Sequence, residues 1–328
     1  MTWHDRRVLV TGAGGFIGSH VVEALVECGA RVTAFLHYRR EGAYGALTDV
    51  PNATLDQVRI VYGDVRDPDA VQEACTDQEV LFHLAASTSV AYSFAQPREV
   101  FETNVVGTYN ILAAARRTRP SRLVVVSSSE VYGTAQHVPI SEDHPLVGQS
   151  PYAASKIAAE KLSESFHRAY GLPVVLVRPF NSFGPRQTTR AVIPSLITQA
   201  QAGGPVRLGN LRPRRDFTFV ADTANGIITA AEPEGAVGNV FNLGSGVAVA
   251  IADLVTEVEV IVGRPLEIQH DEARERPPAS EVMRLVADST RAHRVLAWHA
   301  KTPLRDGLVL TARWLEDHPL TPGRADPL

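Results

Sequence analysis

Two short stretches hold residues able to move protons. In VVVSSSEVYG an apolar run ends in Ser128, Ser129 and Glu130, followed by a tyrosine. A buried strand seldom finishes in hydroxyls and one carboxylate, so Glu130 is either a solvated loop acid or a base. In SPYAASK, Tyr152 and Lys156 stand four apart, and on a helix both project from one face. An ammonium beside a phenol favours the phenolate and is expected to lower the tyrosine pKa. Such a tyrosine could take a proton from an alcohol near neutral pH.

The elements around these stretches alternate. RRVLVTG, RVTAFL, VRIVYGD, EVLFHLAA, RLVVVSSS and PVVLVRPF read as short β-branched strands. GFIGSHVVEALVECGA reads as a helix with Ile17, Val21 and Leu25 on one face. PREVFETNVVGTYNILAAARR and SPYAASKIAAEKLSESFHRAY carry further helical patterns. Continuous apolar strands separated by helices predict a parallel sheet covered on both faces. The connection between RVTAFL and VRIVYGD reads as a long loop. Beyond Pro179, proline and glycine punctuate shorter elements. Here AVIPSLITQAQAG and AIADLVTEVEVIVG read as helices, and RRDFTFV and NVFNLGS as strands.

VLVTGAGGFIGSH places Gly12, Gly15 and Gly18 between the first strand and its helix. The first glycine permits the tight turn, the second lets backbone approach a pyrophosphate, and the third permits close helix packing. The helix N-terminus beginning at Phe16 and Ile17 faces the negative charge. The expected fold is therefore α/β: a Rossmann-type doubly wound parallel sheet with a smaller mixed C-terminal region. Residues 1–178 would bind the dinucleotide, with the sheet completed by parts of 214–245. Residues 179–328 would mainly bind substrate. An NAD site usually ends its second strand with a carboxylate for the ribose, whereas Leu36 stands here, followed by HYRR. Arg39 and Arg40 could hold a 2′-phosphate, which favours NADP over NAD; the alternative is that they are solvated loop charges.

Composition narrows the field. The 328 residues carry 32 basic and 36 acidic side chains, a formal net charge of -4. That near balance argues against a nucleic-acid stripe or a membrane-surface helix. Cys28 and Cys75 read as small apolar residues, not a disulfide. Charged residues run straight into the first strand, and no apolar stretch is long enough to span a bilayer, so a cytoplasmic protein is expected. No metal-ligand spacing stands out.

Together, TGAGGFIG, GDVRD, HLAAS, NVVGT, SSSEVYG, PYAASK, RPFNSFGPRQ, RRDFTFV and FNLGSG resemble the extended short-chain dehydrogenase/reductase family over almost the whole chain. That family contains nucleotide-sugar epimerases, 4,6-dehydratases and decarboxylases. The resemblance implies that Asp64 and Val65 contact the adenine, and that Leu84, Ala85 and Ala86 lie along the cofactor. It implies that Ser128 and Tyr152 hydrogen-bond the sugar 4-hydroxyl, and that Asn181, Arg215 and Arg276 grip the nucleotide diphosphate. A planar guanidinium suits that task, although Asp216 beside Arg215 makes an ordinary salt bridge the alternative. Loop contacts around Val192 and Leu208 would distinguish nucleotide bases. The family also implies a homodimer through a four-helix bundle.

SSSEVYG is similar to the dehydratase pattern, and the resemblance implies that Glu130 removes the C5 proton after C4 oxidation. Ser129 stands where the glucose-type dehydratases carry an aspartate, as in the mannose-type enzymes. FGPRQTTRAVIPSLITQAQAG and ERPPASEVMRLVADSTRAHRVLAW resemble the legionaminic-acid-type dehydratases, which act on a nucleotide-linked N-acetylglucosamine. The stretch STSVAYSF departs from that group. A 4,6-dehydratase is therefore expected, with a C4-epimerase or a glucuronate decarboxylase as alternatives. A non-catalytic regulator on this fold would be expected to lack Tyr152 or Lys156, and both are present.

Overall fold

The computed structural model describes residues 2–38, 42–272 and 282–319. Seven parallel strands form the main sheet. In chain order they are β1 (Arg7–Thr11), β2 (Arg31–Leu36), β3 (Arg59–Tyr62), β4 (Val80–His83), β5 (Arg122–Val126), β6 (Val174–Pro179) and an edge strand, Val240–Leu243. In space they run edge strand, β6, β5, β4, β1, β2, β3. The order reverses beside β1, between β4 and β2, and doubly wound sheets place ligands in the crevice at that switch.

Alternation along each strand explains why both faces are covered. Val8, Val10, Val124, Val126, Val175 and Val177 enter one apolar cluster. Their neighbours Leu9, Leu123, Val125, Val174 and Leu176 enter another on the opposite face. A strand buried on both sides reads as one unbroken apolar run, as these strands do. Smaller pairings lie beyond the main sheet. Phe217–Phe219 runs parallel to Asn181–Phe183, and Arg214–Arg215 pairs with both Val249–Ala250 and Arg284–Leu285. Helices Val192–Ala202 and Ile251–Val262 pack with them around a third cluster centred on Phe183, Leu196 and Leu254.

The connection after β2 differs from the long loop expected. It contains a 3-10 turn, Gly45–Asp49, and a short helix, Asn52–Leu55. Leu47 and Val50 are buried there, so two apolar anchors organise a segment with no sustained periodicity. The helical pattern from Pro97 to Thr118 is interrupted by a π turn at Glu102–Val106, which carries Asn104. Such turns concentrate at functional sites.

Asp216 ties the small sheets to the large one. Its buried carboxylate accepts from the Ser245 N–H at 2.7 Å and hydroxyl at 2.6 Å, the Gly246 N–H at 2.8 Å and the Ala287 N–H at 3.0 Å. Replacing it with alanine removes all four contacts and strands the buried Ala287 N–H. Asp216→Ala is therefore expected to lose roughly 2–4 kcal/mol of stability, read as a lower urea midpoint. An unchanged midpoint would refute the tie.

Candidate active site

The turn between β1 and helix α1 (Phe16–Glu27) forms a cradle that only glycine permits. Gly12 has φ +69°, and a Cβ there would lie 2.6 Å from the Ala85 nitrogen. A Cβ on Gly18 would lie 2.1 Å from the Gly12 carbonyl oxygen. Helix α1 follows Gly15, which offers no side-chain cap and leaves the first N–H groups, those of Phe16, Ile17 and Gly18, for an anion. This bare, positively polarised floor fits a dinucleotide pyrophosphate. Gly18→Ala should separate α1 from β1 and weaken dinucleotide binding by about tenfold or more, measured by calorimetry; wild-type affinity would contradict this.

Other residues expected along a cofactor border the same floor. Leu84 and Ala85 leave β4 directly over Gly12, and their N–H groups donate to the Thr11 carbonyl and hydroxyl oxygens, each at 3.2 Å. Ala86 follows them, half-buried. Past the end of β3, Asp64 forms a bidentate pair with Arg66 that holds its carboxyl below the usual range. Val65 is buried against Gly107. Leu36 is buried, with its side chain reaching toward Gly14. Arg39 and Arg40 lie outside the described residues.

The residues expected to handle protons converge at the C-terminal end of β5. Ser128 caps a 3-10 turn, Ser129–Tyr132, its hydroxyl accepting from the Glu130 N–H at 3.2 Å. Ser129 is buried, whereas Ser128 and Glu130 are half-buried. Facing this turn is the long helix Pro151–Tyr170, which starts at Pro151 because the Ser150 hydroxyl accepts from the Ala153 N–H at 3.0 Å. Tyr152 and Lys156 are both buried on it, and the Tyr152 phenol is hydrogen-bonded to Ser128.

The expected lowering of the Tyr152 pKa is not what the structure shows. Burial pushes the phenol up to about 12, and the negative charge of Glu130 adds to the rise against the Ser128 hydrogen bond. The Lys156 ammonium donates to the Val126 carbonyl oxygen at 2.7 Å, and burial pushes its pKa down to about 8 against the pull of Glu160. Desolvation therefore outweighs the pairing inferred from spacing alone.

The residues expected around a nucleotide are dispersed over the smaller sheets. Asn181 opens a strand and donates from Nδ2 to the Asp216 carbonyl oxygen at 3.4 Å. Arg215 is buried and directly precedes Asp216, whose carboxylate turns to Ser245, Gly246 and Ala287. Val192 opens a helix, and Leu208 ends the strand Val206–Leu208. Arg276 lies outside the described residues.

Several polar residues escaped the sequence reading. Buried His83 joins Thr11 at 2.8 Å and Thr108 at 3.0 Å, linking β4, β1 and the helix Gly107–Thr118. Asn104 accepts from the Ser87 N–H at 2.7 Å and donates to Ser155 Oγ at 2.9 Å. A histidine inside HLAAS and an asparagine inside NVVGT were the available signals. Among the described residues no cluster suited to a metal ion occurs, and no helix is long and apolar enough to cross a membrane.

Residues 9–311 match the family model described as GDP-mannose 4,6 dehydratase. The chain belongs to the extended short-chain dehydrogenase/reductase family. Its relatives include both epimerases and dehydratases. A UDP-glucose 4-epimerase of Mycolicibacterium smegmatis is 34% identical over 95% of this chain and 99% of its own. A dTDP-glucose 4,6-dehydratase of Streptomyces niveus is 32% identical over 95% of this chain and 93% of its own. The solved structure of MoeE5 in complex with UDP-glucose and NAD has a TM-score of 0.83, with 32% identity over 95% of this chain and 99% of that one. NAD, not NADP, is the dinucleotide in that family neighbour, so the lean toward NADP finds no support there. This family member is an NAD-dependent nucleotide-sugar enzyme of the epimerase/dehydratase group.

Proposed function

We propose that the protein is a nucleotide-sugar 4,6-dehydratase using NAD. The observation that carries this reading is the position of Glu130. It lies on the turn after β5, close enough to Tyr152 for its charge to act on the phenol. Bound NAD supplies the hydride acceptor for C4 and later the hydride donor for C6. Ser128 orients the sugar 4-hydroxyl and Tyr152 takes its proton as the C4 hydride leaves. Lys156 places a positive charge below that reaction. The resulting ketone acidifies C5, from which Glu130 takes a proton and passes it to the departing C6 hydroxyl as water. Ser129 positions that hydroxyl. The proton held by Tyr152 balances the one C5 regains as hydride reaches C6, leaving a 4-keto-6-deoxy sugar.

On this reading the glycine cradle, Asp64, Val65 and Leu84 to Ala86 hold the dinucleotide. Asn181, Val192, Leu208 and Arg215, together with Arg276, hold the nucleotide of the substrate. The sugar is expected to be an N-acetylglucosamine linked to UDP or GDP. A homodimer is part of the proposal, supported by exposed Phe94, Phe101 and Tyr109 on the helices before the long helix and by exposed Tyr170 at its end. The similarity to a UDP-glucose 4-epimerase favours C4 epimerisation as the second reading, with glucuronate decarboxylation as a third. Mass spectrometry after incubation with UDP, GDP and dTDP sugars separates them. Loss of one water supports the dehydratase. An unchanged mass with a new C4 isomer, or loss of carbon dioxide from a glucuronate, overturns it.

A further inference from the structure

A buried guanidinium lies between the two elements that carry the proton-handling residues, and the chemistry described above does not use it. Arg178 on β6 donates from Nε to Glu160 Oε1 at 2.9 Å and from Nη2 to Glu160 Oε2 at 2.6 Å. Its Nη1 donates to the Tyr132 hydroxyl at 2.8 Å and to the Glu142 carbonyl oxygen at 3.2 Å. Tyr132 in turn donates to Asn242 Oδ1 at 2.6 Å, on the edge strand. Arg178, Glu160 and Tyr132 are each no more than 2% exposed.

The positions of the two partners are informative. Tyr132 ends the same 3-10 turn that holds Ser129 and Glu130. Glu160 is one helical turn beyond Lys156 and two beyond Tyr152 on the long helix. A single planar group thus grips both elements at once, through a two-pronged fork on one side and a hydrogen bond on the other.

We propose that Arg178, clasped by Glu160 and Tyr132, is a positioning residue that fixes the turn carrying Ser128 and Glu130 against the helix carrying Tyr152 and Lys156. Stability alone does not call for an ion pair here, because well-packed apolar side chains of similar volume often hold a core equally well. Apolar contacts, however, let a helix slide or rotate, whereas a bidentate fork has one orientation. Orientation matters because Glu130 and Tyr152 must reach the same sugar ring, and a displacement of about 1 Å can cost about a hundredfold in rate. The network extends to Asn242, whose N–H donates to Glu142 Oε1 at 2.9 Å and whose Nδ2 donates to the Ile140 carbonyl oxygen at 2.9 Å. The edge strand is therefore the fixed support against which the turn is held.

The inference rests only on oxidation at C4, which the dehydratase and epimerase readings share. Its test is Tyr132→Phe in the full-length protein with its NAD, because this change keeps the ring and removes only the hydroxyl. UDP-glucose, dTDP-glucose, UDP-N-acetylglucosamine and GDP-N-acetylglucosamine serve as probes, with reduction of NAD followed by absorbance. The rate of reduction is expected to fall about tenfold while KM stays within about twofold. Hydrogen exchange is expected to quicken at 128–133 and at 152–156 and to stay unchanged in β1 and β4. Arg178→Lys, which keeps the charge and loses the fork, should reproduce both effects. Ile140→Val trims the same apolar cluster without touching the guanidinium and should do neither. A Tyr132→Phe protein with wild-type reduction rate, or with exchange quickened throughout the sheet, would overturn the proposal. Should no probe be turned over by the wild type, the functional reading fails, and the exchange pattern still decides this one.

Discussion

Glu130→Gln is expected to stop water loss while leaving oxidation at C4 intact. The amide has the shape of the carboxylate but cannot accept a proton from C5, so dehydration should slow by about 10²–10⁴-fold. Tyr152 and Ser128 are untouched. The negative charge that helps raise the phenol pKa also disappears, which favours the first step rather than hindering it. Reduced cofactor and 4-keto sugar should therefore accumulate in the variant and be seen by rapid-mixing absorbance and trapping of the ketone. Turnover in heavy water adds a second reading: the wild type should place deuterium at C5 and the variant should not. Unchanged turnover in Glu130→Gln would remove the carboxylate from the reaction and move the protein to the epimerases.

Tyr152→Phe is expected to act one step earlier. Phenylalanine fills the same space within the buried site but has no oxygen to receive the 4-hydroxyl proton. The rate of cofactor reduction should fall by about 10²–10⁴-fold with substrate affinity little changed, which is the pattern of a group needed in the transition state rather than for binding. The contrast with Glu130→Gln is diagnostic, since one variant should show reduced cofactor and the other none. With the phenol pushed up to about 12, its proton affinity in the protein alone is too high for free ionisation at neutral pH. Only the phenolate can accept that proton, so the rate of cofactor reduction is expected to rise with pH between about 7 and 9 as the ionised fraction grows. Normal reduction in Tyr152→Phe would reassign the base.

The dinucleotide half was largely legible in the sequence because its determinants are local. Gly15 and Gly18 answer to backbone contacts within one strand–turn–helix and Gly12 to its own left-handed turn, so their spacing implies the cradle, although Ala85 also closes on Gly12 from another strand. The apolar runs RVLVT and RLVVV imply strands covered on both faces, and the alternating clusters follow from strand geometry. Ser150 and Pro151 mark the start of the long helix in the same local way. The π turn at Asn104 and the anchors Leu47 and Val50 were less visible, because each depends on what packs against it from elsewhere in the chain.

The electrostatics of the site were decided only in three dimensions. A four-residue spacing places Tyr152 and Lys156 on one helix face, yet spacing says nothing of how deeply that face is buried. Burial set the direction of both shifts, upward for the phenol and downward for the ammonium. The clasp of Glu160, Arg178 and Tyr132 was equally hidden, since it joins residues from a helix, a strand and a turn that the doubly wound topology brings together. The sequence by itself determined which side chains could carry protons and where a dinucleotide could lie, because both depend on residue type and short-range spacing. The tertiary structure alone decided their charge states and mutual orientation, because these depend on solvent exclusion and on contacts between distant segments.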